Sequence, residues 1–280
     1  MSSNRAAAIT VPNLQQMKRE GRKIVGIVAW DWQMAQIADR AGVDLVSVGD
    51  TVGINLWGHS NPLQVTMEEM LIVSKAVRRG VKRALLSVDF PYGPLQQGCD
   101  AALQAAIRFV KEAGVDMVKL DGAAEYPEAV AAISRAGIPV FAQFGITPQT
   151  ALKHGVDYKS TLQMGVQLPP TLTAQMVATA KRLEAAGACM LDFTHSGPVA
   201  GAEVAAAVAI PVIGGLGGGP WLDGRMRMAN AAIGYAASTI DQPQEAYAQV
   251  ARTALDALTA LVDDVRSARQ IVGGIAIKVN

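Results

Sequence analysis

Short apolar runs, many of them β-branched, recur along the chain. They are KIVGIVAW (23–30), VDLVSVGD (43–50), ALLSVDFP (84–91), DMVKLDG (116–122), PVFAQFG (139–145), CMLDFTH (189–195) and PVIGGLG (211–217), with a weaker eighth, AAIGYAA (231–237). The runs are nearly continuous rather than alternating, the pattern of parallel strands covered on both faces. Between most of them, apolar residues recur at helical spacing. This predicts helices over 31–41, 65–79, 99–113, 126–136, 170–186 and 199–208, with one or two closing helices in 244–271. Several helices stop at an Ala-Gly pair just before the next strand: Ala41-Gly42, Ala113-Gly114, Ala136-Gly137 and Ala186-Gly187. Glycine accepts the left-handed conformation at a helix C-terminus, so the pair is a recurring stop signal. Strand followed by helix, about eight times over, predicts an α/β fold of the (β/α)8 TIM barrel type, one domain across 1–280. No GxGxxG follows the first strand, which weighs against an open dinucleotide-binding sheet. The segment 145–169 carries no clear element and reads as a lid or binding loop.

Composition narrows the function classes. Half of the 280 residues are hydrophobic, enough for a large core, and 25 basic residues balance 24 acidic ones to a net charge of +1. That balance argues against a nucleic-acid partner or a polybasic membrane surface. Cys99 and Cys189 form neither a disulfide framework nor a CxxC pair, so a reducing, cytoplasmic location is expected. No apolar run reaches the roughly 18 residues of a membrane span, and the N-terminus lacks a signal-peptide core.

In a parallel barrel, ligands bind at the C-terminal strand ends. Asp50 ends the second run, Asp89 the third; Lys119 and Asp121 lie on the fourth, Gln143 on the fifth, and Asp192, Thr194 and His195 on the sixth. Any one Asp reads equally well as a turn or helix cap. Three at successive tips repel one another unless a hard divalent cation such as Mg²⁺ is shared among them. Lys119 and Asp121, two residues apart on a strand, share a face. A Lys there either pairs with an Asp or grips the carboxylate or enolate of a 2-oxo acid. His59, in WGHSNP, reads as a turn residue or a functional one.

Taken together, VAWDWQMA (28–35), the VGDTVG and GH of 48–59, LQVT (63–66), AVRRG (76–80), VDFPYG (88–93), MVKLDG (117–122), GITPQ (145–149), DYK (157–159), LEAAGA (183–188) and IPVIGGLGGG (210–219) carry a family likeness. From about Ile24 to Asp223 the chain resembles the ketopantoate hydroxymethyltransferases, of the phosphoenolpyruvate mutase/isocitrate lyase superfamily. The resemblance implies a barrel assembled as a homo-oligomer, usually a decamer. It implies transfer of a one-carbon unit from 5,10-methylenetetrahydrofolate to a branched 2-oxo acid through an enolate, with Mg²⁺ polarising the keto oxygen. By position, Asp50 and Asp89 match the metal-binding aspartates, and Asp121 matches a Glu that holds the metal's water shell. Thr51 matches a substrate-binding Ser, and Lys119 matches the family's Lys. Gly217, Gly218 and Gly219 fall in the turn near the folate, and Tyr158 and Lys159 in a loop over the site.

Two positions depart from the family. Gln143 replaces a His and cannot titrate. Thr194 stands where the family has its catalytic Glu, and an unactivated hydroxyl is no base at neutral pH. Asp192, two residues earlier and about 6–7 Å deeper, and His195, at the tip, are the candidate replacements. A diverged substrate, a C–C lyase or aldolase of the same superfamily, and an inactive 2-oxo acid binding protein stay open at this point.

Overall fold

The computed structural model describes residues 7–155 and 169–274. Eight parallel strands close into a barrel in sequence order: β1 (Ile24–Val28), β2 (Leu45–Val48), β3 (Leu85–Asp89), β4 (Met117–Leu120), β5 (Val140–Gly145), β6 (Met190–Thr194), β7 (Val212–Gly214) and β8 (Gly224–Met228). The Ile24 N–H donates to Asp223 O at 2.9 Å where β8 meets β1. Every residue of β2, β3, β4 and β6 is buried, which is why those runs are apolar without alternation.

The repeated GVD that precedes β2 and β4 has a use at the barrel floor. Asp44, just before β2, accepts the Val25 N–H of β1 at 3.0 Å. Asp116, just before β4, accepts the Leu86 N–H of β3 at 2.8 Å. Asp223, just before β8, accepts the Val212 N–H of β7 at 2.8 Å. Each carboxylate satisfies an N–H at the start of the preceding strand, where no further ladder partner exists. Before β6 the same place is held by Cys189, whose thiol faces Val140 O at 3.2 Å. Lys18, from helix α1 (Val11–Arg19), reaches the floor from outside and donates to Ala205 O, Ile210 O and Asp223. That first helix was not anticipated. Thr10 and Asn13 form its capping box and a proline opens its first turn.

The expected helices form as α2 (Trp32–Ala41), α4 (Met67–Gly80), α5 (Cys99–Arg108, continued as a π turn over Phe109–Ala113), α6 (Pro127–Arg135), α7 (Thr173–Ala185) and α8 (Pro198–Ala207), with a short α3 (Val52–Asn55) after β2. One strand was misplaced. The eighth is not AAIGYAA but GRMRM, 224–228, where two arginines break the apolar run. Gly224 is obligatory there, because a Cβ would lie 2.1 Å from Ile24 O on the closing strand. The run 231–237 instead lies partly in α9 (Ala229–Ile233), which stops at Gly234 with φ 64°. Its alanines favour helix over strand.

Two compact units emerge, Met1–Arg227 and Met228–Asn280. The second contains α9 and one closing helix, α10 (Val250–Arg266), where one or two were expected. Among the described residues no helix is long and apolar enough to cross a membrane.

Candidate active site

The strand tips bring most of the expected residues together. Register pairs Asp89 with Lys119 across β3 and β4, and Gln143 with Asp192 across β5 and β6. The Lys119 Nζ lies 3.1 Å from Asp89 Oδ2 and 3.4 Å from Asp192 Oδ2, and donates to Gln143 Oε1. An ammonium has three donors, and here it faces three acceptors. Gln149, which sequence reasoning did not single out, ties the other acids together. Its side-chain amide donates to Asp50 Oδ2 and to Phe90 O, both at 3.0 Å, and its N–H donates to Asp121 Oδ2 at 3.1 Å. Ser47 and Ser87 form a polar step beneath. The Ser87 hydroxyl donates to Ser47 at 2.7 Å, and that of Ser47 reaches Asp89 Oδ1 at 3.4 Å. A serine two residues before a tip aspartate, inside an apolar run, was the signal available for Ser87.

All these charged groups are buried; Asp89, at 7% exposed, is the most open. Burial, with Asp89 and then Asp121 alongside, pushes the Asp50 carboxyl up to about 8. Burial also raises Asp121, to about 6, against the pull of the Thr147 hydroxyl, Lys119 and the Gln149 N–H. Asp89 rises too, through burial that its pairing with Lys119 only partly offsets. Burial works against the Lys119 ammonium, but the combined field of Asp89, Asp192, Asp121 and Asp50 outweighs it and raises its pKa. Four carboxylates thus act on one cation.

The donor set suits a hard cation. It is all oxygen, burial and then the neighbouring Asp89 and Asp121 hold the Asp50 carboxyl well above its ordinary value, and the buried Asp121 Oδ1 has no hydrogen-bond partner. Among the described residues, however, no three His, Cys, Asp or Glu side chains are arranged to hold a metal ion jointly. A cation taken by one or two carboxylates, with water completing its shell, is the usual magnesium arrangement.

The remaining predicted residues divide. Thr194 is buried and its hydroxyl donates to Phe144 O at 2.7 Å, so it braces the β5–β6 wall. Thr51 sits at the head of α3 without making a side-chain cap bond. Asp192 accepts the Gly215 N–H at 3.0 Å, which aims its other oxygen at Lys119. His195 is buried with φ 53°, one of two described non-glycine residues at positive φ, and its N–H donates to Leu216 O at 2.9 Å. Gly217 packs against it. A Cβ there would lie 2.9 Å from His195 Cα and 3.3 Å from Nδ1. Gly218 and Gly219 continue the turn, with Arg225 donating to Gly217 O from outside and the Trp221 ring seated under Gly219. The Trp221 indole N–H donates to Ser196 at 3.0 Å, joining the β6 and β7 loops. His59 stands 3.6 Å from Glu69, and its N–H closes a turn onto Gly53 O. Tyr158 and Lys159 lie outside the described residues.

The chain is similar to known proteins over most of its length. The family model described as ketopantoate hydroxymethyltransferase matches residues 8–270. The 3-methyl-2-oxobutanoate hydroxymethyltransferase of Salinibacter ruber is 36% identical over 258 residues, 92% of this chain and 95% of that one. The enzyme of the same name from a Cyanothece strain is 37% identical over 264 residues, 92% and 97% of the two chains. Among solved structures, 2,3-dimethylmalate lyase, a member of the PEP mutase/isocitrate lyase superfamily, superposes with TM-score 0.60 at 13% identity, covering 98% of this chain and 92% of that one. Phosphonopyruvate hydrolase with oxalate and Mg²⁺ superposes with TM-score 0.56 at 14% identity, covering 93% and 89%. These last two share the fold. The family match spans all eight barrel strands and the closing helix, and on that ground the chain belongs to the ketopantoate hydroxymethyltransferase family.

Proposed function

We propose that the protein transfers a one-carbon hydroxymethyl unit to a branched 2-oxo acid, 3-methyl-2-oxobutanoate, with 5,10-methylenetetrahydrofolate as donor. The observation that carries this reading is the buried carboxylate cluster of Asp50, Asp89 and Asp121 beside Lys119 at the barrel mouth. Asp50 and Asp89 would hold a divalent cation, Mg²⁺, with Asp121 in support. When bound, such an ion acts as a Lewis acid toward the keto oxygen of the substrate.

The chain's own groups do the rest. Lys119 spends its donors on Asp89, Asp192 and Gln143, so its part is electrostatic. It places a fixed positive charge beside the oxygen on which enolate charge develops. Asp192 takes the C3 proton. Of the two candidate bases, its carboxylate is the one tied to Lys119. Gln143, Thr51 and the rim around Gly217, Gly218 and Gly219 orient the two substrates. Relatives named as hydroxymethyltransferases favour this reading over a lyase or an inactive binding protein. Both cysteines are free, in keeping with a reducing compartment. The closing helix α10 leaves Leu255, Leu258, Leu261, Val262 and Val265 exposed, in keeping with a homo-oligomer.

Deuterium exchange at C3 of 3-methyl-2-oxobutanoate, followed by proton NMR with Mg²⁺ and no folate, tests the proposal. Wild type is expected to exchange. Asp50→Ala and Asp89→Ala are expected to lose exchange by about a hundredfold or more, with the fold intact by circular dichroism. Absence of exchange in the wild type, beside an active relative, rejects this substrate.

A further inference from the structure

The two proton-carrying side chains of β6 face different surroundings. Asp192 lies within the strand, anchored by the Gly215 N–H and paired with Lys119. His195 lies one residue beyond the strand end, about 10 Å further along by strand geometry. It belongs to the rim. Its N–H is held by Leu216 O, its ring lies against Gly217, and Ser196 beside it is held by Trp221. It is buried, and its φ of 53° is a positive value uncommon outside glycine, though histidine takes it more readily than most residues. A buried, titratable side chain held at a strand tip by the backbone of the neighbouring loop is placed for proton transfer.

We infer that His195 is the catalytic acid of the carbon–carbon bond-forming step and takes no part in enolate formation. The inference rests on the function proposed above and divides its proton transfers between two residues. Asp192 removes the C3 proton of the keto acid. Water releases formaldehyde from 5,10-methylenetetrahydrofolate, leaving tetrahydrofolate, and the enolate carbon then attacks that formaldehyde as it enters from the rim. The enolate electron pair becomes the new C–C bond, and the C=O π pair of the one-carbon unit moves onto its oxygen. The imidazolium of His195 gives its proton to that oxygen, leaving a hydroxymethyl group. One proton has been taken by Asp192 and one given by His195. The resting state returns when solvent carries the proton from the first to the second.

Backbone geometry supplies clean variants. Asn tolerates the left-handed region and cannot carry the proton, and Gly tolerates it and leaves room for a free imidazole. Two readouts are taken on each variant with Mg²⁺. One is C3 deuterium exchange of 3-methyl-2-oxobutanoate. The other is addition of formaldehyde to the same acid, with release of formaldehyde from the hydroxymethylated product as its reverse. His195→Asn is expected to exchange within about threefold of wild type and to lose formaldehyde addition and release by about a hundredfold or more. His195→Gly is expected to regain addition when imidazole is supplied. Asp192→Asn is expected to lose both reactions.

A parallel fall of exchange and addition in His195→Asn makes His195 part of enolate formation and overturns the division. Addition retained in His195→Asn, or no response of His195→Gly to imidazole, removes it as an acid. A wild type that neither exchanges nor adds formaldehyde defeats the proposed function itself, which is a different outcome from either.

Discussion

The Asp50 carboxyl shows most plainly what burial does to an acid among acids. Its ordinary value is 3.8, and burial beside Asp89 and Asp121 takes it to about 8. A folded-state pKa above the unfolded one means that the native state binds the proton more tightly. The resulting stabilisation is full below the unfolded value and is lost as pH rises through the folded one. The metal-free protein is therefore expected to melt progressively lower from about pH 4 to about pH 8, a trend that Asp50→Asn flattens. Metal ligands must be deprotonated, so Mg²⁺ competes with that proton. Added Mg²⁺ is expected to raise the melting temperature most at the alkaline end, and calorimetry in buffers of different ionisation enthalpy is expected to show proton release on binding. A melting temperature that rises steadily over this range without metal contradicts the burial of an ionisable Asp50.

At the scale of elements, the β7 loop matters because a strand end and a glycine turn have grown into each other. Gly217 has φ 69°, and its missing Cβ is the space that the His195 backbone occupies. Gly217→Ala therefore adds backbone strain and a 2.9 Å contact with His195 Cα at once. Asp192 is held by Gly215 at the start of the same loop and paired with Lys119 on a neighbouring strand. The expected result is loss of hydroxymethyl transfer with C3 exchange largely kept, measured by the same NMR assay. Equal loss of both places the Gly217 turn in the support of Asp192 as well.

At the largest scale, α10 carries an apolar stripe that is exposed among the described residues. Leu258 and Val265 are each 60% exposed, and Leu255, Leu261 and Val262 share the helix with them. Apolar stripes of this kind mark association surfaces. Leu258→Glu with Val265→Glu is expected to reduce the mass seen by light scattering while leaving the barrel folded by circular dichroism. A wild type that runs as a monomer at micromolar concentration removes the homo-oligomer from the proposed function.

The sequence by itself determined the barrel and the identity of most groups at its mouth. Continuous apolar strands, helical spacing between them and Ala-Gly stops are local signals, and eight local units in series leave a parallel barrel little competition. Tip residues such as Asp50, Asp89, Lys119 and Asp121 were legible because a charge ending a buried strand is costly and therefore conspicuous. What failed locally was β8, whose arginines hide a strand that barrel closure imposes. Gln149 went unread because nothing in its own neighbourhood reveals that a loop after β5 returns to bridge the tips of β2 and β4. The tertiary structure alone decided that Lys119 faces Asp89, Asp192 and Gln143 together, that Thr194 turns its hydroxyl into the wall, and that His195 lies against Gly217. Those facts depend on register between strands far apart in the chain, and distance across a barrel is a quantity that no run of neighbouring residues encodes.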